Sequence, residues 1–263
     1  MICHCASRNP GRDKPCPYTW VEFEEVVMTR EQIEITTQSR FASELFAVLK
    51  EEPFRDPTLD AIRARSMTRE QVKLWVGQAS LVVREFTRFI SAIHANCPHR
   101  DAQALLAENL WEEHGKGIQA RDHYALIKQM ARSLGATDAE LDNTKPLPET
   151  ADYIAHCINV TRDGSFIEGM TAIGIGIEYF SPRFFAALAD LFRSQFGLSR
   201  EEVEYLLVHV GEDEDHARRS LELIEKYADT DEIKEKAKQA LREMLSVKRQ
   251  FAEALFAHCM SAS

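Results

Sequence analysis

Along almost the whole chain, apolar residues recur three and four positions apart, the spacing that gathers them on one face of an α-helix. No stretch alternates β-branched and polar residues for long enough to read as a strand. Helix starts carry a hydroxyl residue three positions ahead of a Glu or Gln, so that the two side chains cap the free backbone N–H groups. This pattern occurs at Thr29–Gln32, Thr68–Gln71, Thr137–Glu140 and Ser199–Glu202. It predicts helices from Thr29 to about Lys50, from Thr68 to about Ala95 ahead of the Cys97-Pro98 stop, and from Ser199 to about Tyr227, with a short turn opened by Thr137. A last helix is expected over Asp231–His258, capped by Asp229 or Thr230, and others near 101–114, 118–134, 149–162, 165–180 and 182–196. The loops are short, no repeat or composition break marks a second domain, and no heptad pattern persists. The prediction is an all-α fold, a single bundle of roughly seven to nine helices.

Composition changes this picture little but excludes several functions. Asp and Glu outnumber Lys and Arg by 42 to 32, a net charge of −10, which argues against a nucleic-acid footprint. No apolar run reaches the roughly 18–20 residues that span a bilayer, and the first twenty residues lack the apolar region of a secretory signal. A cytoplasmic protein with no membrane partner is expected. Residues 1–27 read as a disordered tail, with Met28 an alternative start, and residues 28–263 as the helical domain. The six cysteines have no framework spacing and read as thiols. Cys3-His4-Cys5 with Cys16 is a candidate metal cluster, although it matches no common zinc pattern.

The strongest chemical signal is His209-Val-Gly-Glu-Asp213-Glu-Asp-His216. At roughly 100° per residue, His209, Asp213 and His216 lie within about 60° of one another on one helix face. Two imidazoles and a carboxylate so placed make half of a transition-metal site. Leu206, Leu207 and Val210 flank them, so the helix is expected to be buried, and buried charges need partners. Glu212, Glu214 and Asp215 fall off that face and are expected to be solvated.

Glu178 lies in the apolar stretch Gly174-Ile-Gly-Ile-Glu178, where a carboxylate must be paired, with Arg183 for example, or protonated or metal-bound. The two glycines suggest close backbone approach to a helix or a ligand. In Glu108-Asn-Leu-Trp-Glu112-Glu113-His114-Gly115-Lys-Gly117, followed by His123, the glycines can bend the chain so that Glu113 and His123 converge; Glu112 and His114 compete for the same role. Glu85 is a further carboxylate on the preceding helix, as readily explained by a salt bridge to Arg84 or Arg88 as by a ligand role. Glu113, His123, Glu178, His209, Asp213 and His216 exceed the needs of one tetrahedral zinc. They suit two iron ions, or one iron and one manganese, with open positions for dioxygen.

In order and spacing these motifs resemble the haem-oxygenase-like dimetal oxidases and oxygenases, over about Gln32 to His258. The resemblance implies the haem oxygenase bundle, two metal ions in place of haem, and Glu113, His123, Glu178, His209, Asp213 and His216 as their ligands. It also implies dioxygen as co-substrate, an external electron donor, a small-molecule substrate and, in some relatives, a homodimer. Some N-oxygenating members recruit one more Glu from the preceding helix, and Glu85 is the matching candidate. The Glu-to-His interval of ten residues, with Gly-x-Gly inside it, resembles the N-oxygenating branch, so N-oxygenation of an amine is the first expectation. Members like the chlamydial para-aminobenzoate synthase have a shorter interval and a sacrificial Tyr, and desaturating or C–C-cleaving members place the His three after the Glu, where Lys116 stands here. Oxidative C–C or C–H cleavage, including para-aminobenzoate-synthase-like chemistry, is the second expectation.

Phe86, Trp111, Tyr179 and Phe180 are candidates for a substrate pocket. Outside this class stand a metal-free thiaminase-like hydrolase using Cys157, a cofactor-free oxidase like the quinone-cofactor synthase, and a non-enzymatic regulator with a structural metal. His156 and Cys157 are adjacent, so on a helix they diverge by about 100° and make a poor dyad.

Overall fold

The computed structural model describes residues 39–262, which contain helices and connecting turns but no strand. The expected Thr29 cap, the tail and the Cys3-His4-Cys5 and Cys16 cluster lie outside the described residues. The first described helix, α1 (Arg40–Glu51), starts at Ser39, whose hydroxyl accepts from the Ala42 N–H at 3.1 Å. A short α2 (Pro57–Arg63) follows, not anticipated above although Asp56 caps it and Pro57 fills the first position, where a missing N–H costs nothing.

Next come α3 (Arg69–Asn96), opened by the expected Thr68–Gln71 capping box, and α4 (Arg100–Glu113). Two 3-10 turns, Gly115–Gly117 and Gln119–Arg121, lead to α5 (His123–Ser133). The helix expected from 118 therefore starts five residues late. The Asp122 carboxylate takes the N–H groups of Tyr124 and Ala125 at 3.0 and 3.2 Å and fixes the start there.

The chain continues through α6 (Asp138–Asn143), α7 (Pro148–Arg162) and α8 (Phe166–Met170). The helix expected over 165–180 is not uniform. After α8 the chain widens into a π turn, Thr171–Glu178, before α9 (Ser181–Phe196). The glycines in this turn do make close approaches. A Cβ on Gly174 would stand 2.4 Å from Ser220 Oγ, and one on Gly176 would stand 2.7 Å from Met244 Cγ. The Ser199–Glu202 box forms, with N–H bonds of 2.7 and 3.2 Å, but residues 200–203 are a turn and α10 runs Glu204–Tyr227. Thr230 caps α11 (Asp231–Ser261).

The buried apolar residues form two clusters. One gathers Leu45, Phe89, Ile93, Ile175, Leu221 and Leu241, the other Ile62, Val76, Ile127, Leu188, Phe192 and Leu206. On α3, on α10 and on the path from the π turn into α9, the chain passes from one cluster to the other. Glu178 and the 209–216 segment fall at that passage. The described cysteines, Cys97, Cys157 and Cys259, are buried free thiols. No described helix is long and apolar enough to cross a membrane.

Candidate metal centre

Six buried polar side chains come from four elements. Glu113 ends α4, His123 begins α5, Glu178 ends the π turn, and His209, Asp213 and His216 share one face of α10. None is more than 7% exposed. The turn between α4 and α5 brings the first two together. Gly115, Lys116 and Gly117 all have positive φ (68°, 55° and 82°), a reversal that two glycines make accessible. A side chain at Gly115 would collide with the Arg121–Asp122 backbone at 2.4–2.5 Å, so the turn closes tightly onto the start of α5. One ligand atom each from Glu113, His123 and His209 lies within 4.8 Å of the others. Beside them, His216 Nδ1 lies 3.8 Å from Glu178 Oε1 and 4.0 Å from Asp213 Oδ1.

The hydrogen bonds single out which imidazole nitrogens are available. His209 Nδ1 is 2.6 Å from the Tyr205 carbonyl, to which it must donate, so the Nε2 lone pair is left for a ligand. His216 Nε2 donates to Glu112 Oε2 at 2.7 Å, and its buried Nδ1 has no hydrogen-bond partner. His123 Nε2 faces Glu212 Oε2 at 3.5 Å. Its buried Nδ1 is 2.8 Å from Glu113 Oε2, yet misaligned for a hydrogen bond and without another partner. Two orphaned nitrogens and one oriented lone pair, converging with three carboxylates, fit first-row metal ions.

Electrostatics point the same way. Burial pushes the Asp213 carboxyl well above the usual range, and the nearby Glu178 and Glu113 carboxylates add to this. Burial likewise raises Glu178, against the pull of His216. Burial and the adjacent His123 drive His209 down to about 4, so its imidazole is neutral, as a ligand must be. Burial opposes a charge on His123, but Glu113 and Glu212 overcome it and hold the imidazole up to about 10. Without a cation, this cluster keeps its acids and imidazoles together only by holding protons.

The remaining expected residues are placed elsewhere. Glu85 is shared between Arg84, at 3.1 Å, and Arg88, the salt-bridge alternative of the sequence reading. His114 pairs with Asp122 at 3.1 Å on the surface. Trp111 is 57% exposed and packs over Gly117. Phe86 packs on Phe89, Tyr179 on Phe46, and Phe180 on Phe54. The cleft that does reach Glu113 and His123, of about 140 Å³, is lined by Val83, Arg84, Thr87, His114, Asp122 and Tyr124. Cys157 is fully buried, and burial pushes its thiol up to about 12.

Sequence reasoning missed the outer partners. Glu212, expected in solvent, is half-buried against Lys116 and His123, which pull its carboxyl down to about 2 against the cost of burial. It lies three residues after His209 and four before His216, a spacing that was available as a signal. Ser181, seven residues beyond Gly174, donates its hydroxyl to the Ile177 carbonyl at 3.1 Å and lies close enough to Asp213 to favour its ionised carboxylate. Asn109 donates to Glu178 Oε1 at 3.5 Å.

A buried cluster of three histidines and three carboxylates on a helical bundle suits a metal-dependent redox protein, and the comparisons give an iron-containing redox family. The family model described as "iron-containing redox enzyme" matches residues 73–249, and the chain belongs to that family of oxidoreductases. The 4-aminobenzoate synthase of Nitrosomonas europaea is 31% identical over 201 residues, covering 72% of this chain and 77% of the relative. Among solved structures, a TenA homologue from Pseudomonas syringae superposes with a TM-score of 0.72 at 15% identity, over 83% of this chain and 93% of the other. A domain of unknown function from Shewanella denitrificans with a heme oxygenase-like fold gives a TM-score of 0.64 at 14% identity, over 83% and 89%. The fold is therefore the all-α, haem-oxygenase-like bundle.

Proposed function

We propose that this protein is a dimetal oxidase that activates dioxygen to transform a small metabolite, with iron at one or both positions and electrons from an external donor. The observation that carries this reading is the convergence of three imidazoles, each with one nitrogen that makes no hydrogen bond to the protein, on three buried carboxylates. The bound ions would supply the electrons and the Lewis acidity that reduction of dioxygen requires.

The chain's own part is holding and shielding. The Tyr205 carbonyl and Glu112 fix the tautomers of His209 and His216. The rings of Tyr205, Phe185 and His123 pack around His209 at 4.6, 5.1 and 4.5 Å and keep water from that side. Asn109 orients Glu178. The small cleft beside Glu113 and His123 is the approach for substrate.

Similarity to the Nitrosomonas europaea 4-aminobenzoate synthase supports oxidative formation of 4-aminobenzoate or a similar aromatic amine. The ten-residue interval between Glu113 and His123, closed by the Gly115–Gly117 turn, favours a second reading, N-oxygenation of an amine. Anaerobic loading with ferrous iron, followed by rapid mixing with dioxygen, tests the shared claim. About two metals per chain and a transient visible absorption are expected; no bound iron would overturn it. Mass spectrometry of the products then separates the readings: 4-aminobenzoate supports the first, an oxygenated amine the second.

A further inference from the structure

Lys116 occupies an unusual place. It is one of only two non-glycine residues with positive φ among the described residues. Such a backbone is unfavourable for an L-residue and persists where surrounding structure enforces it. Its ammonium lies 2.9 Å from Glu112 Oε1 and 3.2 Å from Glu212 Oε1. The other oxygens of these two carboxylates face the outer nitrogens of His216, at 2.7 Å, and His123, at 3.5 Å. One amine therefore links the imidazoles of the two halves of the centre, along the path His216–Glu112–Lys116–Glu212–His123.

We propose that Lys116 is a positioning residue that holds both metal-binding imidazoles through their outer carboxylates and completes the charge balance of the loaded centre; the inference rests on the dimetal reading. The charges match. Glu113, Glu178 and Asp213, with Glu112 and Glu212, carry five negative charges when ionised, and two divalent ions supply four positive charges. Lys116 supplies the fifth. Carboxylates that accept from the outer N–H of a ligating histidine set its tautomer, ring orientation and basicity. Glu112 is held at both ends, by the ammonium and by the His216 imidazole, while Glu212 is held by the ammonium at one oxygen and meets His123 at 3.5 Å only as a charge contact, without a hydrogen bond. The strained Gly115–Gly117 turn is what points this side chain at both carboxylates, and the same turn brings Glu113 to His123, so ligand placement and outer support share one backbone feature.

The test is a stepwise anaerobic titration of the whole protein with Co(II) alone, followed by its visible bands. Lys116→Met removes the charge. Lys116→Gly removes the side chain but suits the positive φ, so a failure of the turn is not what it reads. Both variants should weaken both binding steps, by about tenfold each, and shift the Co(II) bands. Lys116→Arg should restore most of the native behaviour. Glu112→Gln should weaken only the step that involves His216, and Glu212→Gln only the step that involves His123. Losing a positive charge would by itself favour a bound cation, so weaker binding reports lost imidazole positioning. Native or tighter binding with native bands in either neutral variant overturns the proposal, as does an effect confined to one step. In that case the native protein still binds two ions and the dimetal reading survives; a native protein that binds no Co(II) overturns both.

Discussion

The two halves of the centre are assembled by different means. Glu113, His123 and His209 meet because a left-handed turn folds the end of one helix onto the start of the next, against α10. Glu178, Asp213 and His216 meet because a π turn packs closely on the same helix, with Gly174 against Ser220. The first half is placed by backbone reversal, the second by intimate packing. Their protonation differs as well. His123 holds a proton up to about 10, whereas in the second half burial raises both carboxyls and His216 is also raised. The lesson is that one face of one helix can serve both halves of a candidate centre when different backbone devices bring the remaining side chains to it.

The largest expected effect separates the halves directly. His209→Ala and Asp213→Ala should each abolish turnover, and each should retain one ion, in the half left intact. Metal analysis together with circular dichroism checks this: an unchanged helical signal with full activity in either variant would show that the ligand assignment is wrong. A smaller effect comes from pH. Metal must displace the proton that His123 holds up to about 10. Affinity of that half should therefore rise with pH, by about tenfold per unit for each proton displaced, and proton release into weak buffer should accompany loading. His209, at about 4, is already neutral and adds nothing to this slope near neutral pH. A pH-independent affinity would contradict the His123 assignment.

The smallest effects concern the packing device. A methyl at Gly174 meets the Ser220 side chain at 2.4–2.5 Å, so Gly174→Ala should destabilise the fold by about 1–3 kcal/mol and loosen the second half. Gly211, on α10 between His209 and Asp213, has nothing within 4 Å of an added Cβ. Gly211→Ala should stabilise by about 0.4–1 kcal/mol through the helix backbone alone. Thermal unfolding midpoints moving in opposite directions would sharpen the contrast; movement in the same direction would break it.

Much of this was legible in the sequence. Capping boxes and apolar spacing located the long helices, because both are local. The α10 trio was legible because three residues at helical spacing share a face whatever the rest of the fold does. Glu85 was not resolvable from its neighbours, because a carboxylate beside two arginines reads equally well as ligand or ion pair until the third dimension is known. Of the aromatic residues expected at a pocket, Phe86, Tyr179 and Phe180 are partly buried against neighbouring rings and Trp111 is exposed; ring-bearing positions alone say little about which side of a helix faces a cleft. The outer network of Glu112, Lys116 and Glu212 spans 100 residues of chain and a residue in an uncommon backbone conformation, neither of which periodicity reports.

The buried cysteines carry a consequence for durability. A protein that handles dioxygen at a metal exposes its own side chains to oxidants, and the thiolate is the form of cysteine that oxidants attack. Cys157 and Cys259 are enclosed, and their thiols are pushed up to about 12. At neutral pH both are therefore held as protonated thiols. On the proposed dimetal reading, these two cysteines serve as inert packing beside the reactive chemistry rather than as scavengers.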